Sequence, residues 1–150
     1  MRVSGGALAT TLAVAAGLAG SVQVAVMSRL GERVGVVEAV AFAALLTAGI
    51  ALVGLLVVRR SFASVEHSVH QPWWMLTGGV LSLLIVFTIT YAGPRIGVTA
   101  TVGIIIGAQL VMGAAIDRFG LFGSHRVGLH WERVVGIVLL AVGAALSLRK

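Results

Sequence analysis

Gly103-Ile-Ile-Ile-Gly107-Ala-Gln109-Leu-Val-Met-Gly-Ala-Ala-Ile-Asp117-Arg118-Phe-Gly-Leu-Phe-Gly123 decides the class of this chain. From Val98 to Ile116 no side chain carries a charge, and the run then stops at Asp117-Arg118 and a glycine-rich turn. Such a run reads as a membrane helix. Gly103 and Gly107 stand four apart, which flattens one helix face so that another backbone can approach closely. Gln109 sits near the middle, where no water is at hand to bond its amide. It is therefore expected to face protein, a polar cavity or a ligand rather than lipid.

Composition supports the same class over the whole length. Hydrophobic types make up 59% of the 150 residues and charged types 11%, against roughly 25% charged in ordinary soluble domains. So few charges cannot cover so much apolar surface in water, so the solvent is lipid. The net charge of +6 raises the question of nucleic acid. The basic residues, however, stand singly or in pairs between apolar runs, as membrane proteins keep them, and form no basic patch. The chain has no cysteine, which excludes disulfides, thiolate metal sites and cysteine nucleophiles.

In chain order, five apolar runs of about 20 residues are expected to span, near 7–27, 34–58, 73–92, 98–116 and 131–148. The first follows a basic start, as a signal peptide would; its length and the spans after it favour a helix that stays. Ala13/Gly17 and Ala16/Gly20 are small pairs suited to close packing, and Gln23 is its strongly polar side chain. Ser28 to Arg33 reads as a tight connection and Gly93 to Gly97 as a breaker turn. Trp73-Trp74 opens the third span, at the level of an aromatic belt. Polar loops are expected at 61–72 and 117–130. No soluble domain or linker intervenes, and an odd number of spans puts the termini on opposite sides.

Arg2, Arg59, Arg60, Arg118, Arg126 and Arg133 fall on the N-terminal side, and Arg29, Arg33, Arg95, Arg149 and Lys150 on the other. Orientation follows the difference in Lys and Arg, and six against five is close to no instruction. Two expectations stay open: a weak N-terminus-inside preference, or insertion both ways round with antiparallel pairing.

Candidate site residues are few. Glu38 is the one carboxylate well inside an expected span, a candidate for a proton or cation relay; the plainer alternative is a headgroup-level residue at a helix start. Gln109 and Gln23 are candidates to line a polar path, or to bond between helices. Tyr91, Thr88 and Thr99 are candidates too, with threonine bonding back to its own helix as the alternative. Asp117-Arg118 reads as a helix end and loop anchor. Gly17, Gly20, Gly103 and Gly107 are the expected packing positions. His67, His70, His125 and His130 lack helical ligand spacing with carboxylates or thiols, so no metal is expected. No cofactor motif and no nucleophile–base pair is present, so catalysis is not expected.

Gly93-Pro-Arg-Ile-Gly-Val-Thr99, Gly107-Ala-Gln109 and Ile116-Asp-Arg-Phe-Gly-Leu-Phe-Gly123 together resemble the signature of the small YdcZ-type family of the drug/metabolite transporter superfamily. Trp74 followed by Gly78-Gly79, and the segment from Arg133 to Gly143, fit as well. Met27 stands where such proteins often have asparagine, and Ala108 where glycine is common. The resemblance implies an all-α polytopic protein of the bacterial inner membrane, five helices forming half of a ten-helix inverted-repeat transporter. It implies pairing with an antiparallel second copy or an oppositely oriented paralogue. The expected function is small-molecule transport of the secondary, proton-coupled kind. The alternative is a non-transporting subunit that assembles with a membrane partner.

Overall fold

The structure is a computed structural model that describes residues 5–59, 72–124, 128 and 130–147. The regular structure in them is helical: α1 (Gly5–Val34), α2 (Val36–Arg59), α3 (Trp73–Ile96), α4 (Val98–Phe119) and α5 (Trp131–Ser147), with one 3-10 turn at Leu121–Gly123. The first four are long and apolar enough to cross a membrane. The fifth counts 17 residues, at the short end of the roughly 17–25 that span. Leu18, Leu45, Val57, Val80 and Leu139 are among many large apolar side chains that point outward. Such a surface suits lipid and would associate in water. The all-α, multi-spanning class expected from the sequence is the one observed. Glu66, His67, His70, His125, Arg126, Arg2 and the Arg149-Lys150 anchor lie outside the described residues.

Two helix ends differ from the sequence reading. Ser28 to Arg33 is not a connection: α1 continues through it to Val34. Polar side chains do not stop a helix when its backbone bonds can form, and Arg29 meets Glu32 at 3.2 Å on the exposed surface. The chain leaves the helix only at Gly35, with φ at 101°. Likewise α3 runs through Pro94 to Ile96. Proline lacks the N–H that would reach the carbonyl of Thr90, but so near the helix end that is a single lost bond. The break falls at Gly97, with φ at 85°. Both glycines occupy backbone that side-chain-bearing residues rarely adopt.

The far end of α4 closes as the glycine-rich stretch suggests. Gly120 is left-handed (φ 66°, ψ 36°) and donates its N–H to the carbonyl of Ile116, a glycine C-cap. Ser124 then donates its hydroxyl to the carbonyl of Leu121 at 2.9 Å.

The chain forms two compact units, Val26–Pro94 and Met1–Ala25 with Arg95–Lys150. In the first, Met27, Ser28 and Gly31 on α1, Ala39 and Val40 on α2, and Ile89, Thr90 and Gly93 on α3 are buried. Most are small, which lets backbones come close. Gly31 shows how close: a Cβ built there would lie 2.6 Å from the Thr90 methyl and 3.5 Å from its carbonyl oxygen. In the second unit α4 packs along α5. There a Cβ on Gly103 would stand 3.3 Å from that of Ala144.

Candidate functional site: a groove along the fourth and fifth helices

The contact between α4 and α5 leaves an open groove in two stretches. The first, about 300 Å³, is lined by Gln109, Gly113 and Asp117 of α4 and by Gly136, Ile137 and Leu140 of α5, among others. The second, about 320 Å³, is lined by Thr99 and Gly103 of α4 and by Leu140, Gly143, Ala144 and Ser147 of α5. Leu140 lines both stretches.

Spacing explains why these residues share the groove. Gln109, Gly113 and Asp117 recur every four positions, and Gly136, Leu140, Gly143 and Ser147 every three or four, so each set forms one stripe on its helix. The glycines make the hollow. A Cβ on Gly113, Gly136 or Gly143 would meet no atom within 4 Å, so the space above them is empty because they carry no side chain.

Thr99 and Asp117 lie eighteen residues apart, about 27 Å at 1.5 Å per residue. That nearly matches the ~30 Å thickness of the bilayer core. Polar groups mark the groove at its two ends and its middle. The Thr99 and Ser147 hydroxyls stand at one end, though Ser147 donates its own to the carbonyl of Ala144 at 2.8 Å. Gln109 stands halfway and is exposed. Asp117 is at the other end, half-buried, and already has a partner within the chain. Arg118 next to it is exposed, since adjacent helical residues do not face the same way.

The α4–α5 contact thus places Gln109 along one stretch and Gly103 along the other, and puts Asp117, a helix end by sequence, beside Gln109. The four-residue step from Gln109 through Gly113 was the signal that it shares their face. Gln23, exposed on α1, is not among the groove's lining residues. Gly17, Gly20 and Gly107 have no atom within 4 Å of a built Cβ, so the space beside them is open within this chain. In the other unit Tyr91 is exposed and stacks on Phe87, ring centroids 6.2 Å apart and planes 7° from parallel. Thr88 bonds back to the carbonyl of Leu84 at 2.8 Å. Glu38 lies in the first turn of α2, exposed, with its carboxylate folded over Gly35. A negative group there is favoured by the helix dipole.

Residues 8–146 match the family described as "Putative inner membrane exporter, YdcZ". The chain belongs to that family. The match takes in every groove residue named above except Ser147. The inner membrane protein YdcZ of Escherichia coli (strain K12) is 32% identical over 80 residues, which are 52% of this chain and 52% of that protein. The matched segment thus spans about half the length of this curated relative. No solved structure matches the chain. The YdcZ-type resemblance carried by the Gly93, Gly107 and Ile116 segments is confirmed. The chain is a multi-pass protein of the bacterial inner membrane.

Proposed function

We infer that this protein is a small-molecule transporter that works as an antiparallel pair, the groove of each copy supplying half of the path. The observation that carries the reading is the exposed Gln109 in the middle of an apolar helix. An amide left unbonded in hydrocarbon costs several kcal/mol, so a second chain or a ligand must cover it. A copy inverted about an axis at mid-depth brings its own Gln109 opposite. The polar groups then run Asp117, Gln109, Gln109, Asp117 from one surface to the other, the symmetry of inverted-repeat transporters. The near-even charge balance supports insertion both ways, and the family's description as an exporter supports transport. An oppositely oriented paralogue would fill the same place.

Because the chain has no cysteine, Gln109→Cys and Ala114→Cys give single-cysteine proteins. In an antiparallel pair the first is expected to cross-link to its own copy on oxidation. The second should not, since five residues from the axis leaves about 15 Å between the two positions, beyond the ~7 Å that a disulfide tolerates. Cross-links at both positions mean a parallel pair, and none at either means no pairing through α4; both outcomes sink the reading.

Coupling to protons belongs to the same proposal, and we assign it to Asp117, which lies in the groove, rather than to Glu38, which is exposed in the first turn of a helix. Transport by Glu38→Gln should keep the pH profile of the unaltered protein. Loss of that profile would return the role to Glu38.

A further inference from the structure

The ionisable side chain among the described residues lining the groove is Asp117. No described lysine or arginine lines it, although the chain as a whole carries a net charge of +6. Apart from the neutral polar groups of Gln109, Thr99 and Ser147, the walls are leucine, isoleucine, alanine and glycine. Asp117 and Gln109 stand eight residues apart, about 12 Å along α4. A carboxylate offers two oxygens and about four acceptor positions, so the partner that Asp117 already has does not exhaust it.

We propose that the groove binds amphiphilic organic cations, with the charged nitrogen at Asp117 and the apolar body lying towards Gln109. The proposal rests on the transport reading for the groove's purpose, but its chemistry is that of one protomer. An anion would meet a carboxylate in a groove that no described basic residue lines. A neutral amphiphile would gain the apolar wall and nothing at the mouth. A small hydrated cation would gain nothing from the apolar length. Only a cation with an apolar body uses both parts.

The test is binding to the purified full chain in lipid nanodiscs, by titration calorimetry against empty discs, with hexylammonium, hexanol and hexanoate. These share one apolar body and differ in the head group. Hexylammonium is expected to bind about tenfold or more tighter than hexanol, the usual worth of a charge-assisted bond, and hexanoate most weakly. Asp117→Asn should remove the preference, and Asp117→Glu should keep it. Gly113→Leu puts a side chain into the hollow at a position where a Cβ meets no atom within 4 Å, and should weaken ammonium and alcohol alike. If Asp117→Asn does not fold, the ranking of the three compounds on the unaltered protein and on Asp117→Glu decides the matter.

Equal binding of all three compounds overturns the proposal and makes the groove a seat for lipid chains. So does an ammonium preference that survives Asp117→Asn, or binding unmoved by Gly113→Leu. The two readings fail separately. Ammonium preference without the Gln109→Cys cross-link keeps the cation and loses the antiparallel path. The cross-link with equal binding keeps the path and loses the cation.

Discussion

Gly31→Ala is expected to destabilise the protein by about 1–3 kcal/mol, the usual penalty for overpacking a tight contact, and Gly31→Leu to leave little folded protein. The alanine methyl would stand 2.6 Å from the Thr90 methyl. Thr90 cannot simply turn away, because its hydroxyl donates to the carbonyl of Val86 at 2.7 Å and the residue is fully buried. Serine at position 90 keeps that bond and removes the methyl. Thr90→Ser should therefore recover most of the loss in Gly31→Ala, as measured by thermal unfolding in one detergent or lipid. Additive losses in the double variant would mean that the two residues do not meet.

Gly35→Val should cost a comparable amount, about 1–3 kcal/mol, for a different reason. The strain there is in the backbone: φ is 101°, and a β-branched residue at positive φ is an outlier. Asparagine, which tolerates left-handed backbone better, should cost less. The Glu38 carboxylate also occupies the place of the new side chain, but it is the end of a flexible chain. Glu38→Ala is thus expected not to rescue Gly35→Val. A full rescue would show that the contact, and not the backbone, sets the penalty.

Much of the architecture was legible because lipid imposes a simple rule: each crossing must be apolar and long. Hydropathy therefore located the helices, including the short fifth one. It misplaced two ends because it reads side chains, whereas a helix ends where its backbone turns. Arg29, Glu32 and Pro94 were each compatible with continued helix, and Gly35 and Gly97 were not. Glycine spacing was a weaker guide. It nominated Gly17, Gly20 and Gly107, beside which space is open, while Gly31, placed by hydropathy in a loop, makes the closest approach between helices that are not joined in sequence, among the described glycines. A glycine pair says that a face is flat and leaves unsaid what lies against it. Gln109 is a candidate on its own helix alone, since a mid-helix amide is conspicuous without context. Asp117 is not, because a charge at a helix end looks like an anchor until α5 is seen to run beside it.

Gly35 alone separates α1 from α2, and Gly97 alone separates α3 from α4. One residue provides no slack. During synthesis α1 cannot settle in the bilayer and leave α2 to find its own direction, so the two go in as a joined unit. The direction of that unit is decided once, by Arg2, Arg59 and Arg60 at its open ends against Arg29 and Arg33 beside the turn. Everything made afterwards inherits a choice taken on a margin of one charge. If copies insert both ways round, as proposed, the ribosome and the insertion machinery, more than the finished fold, set their ratio.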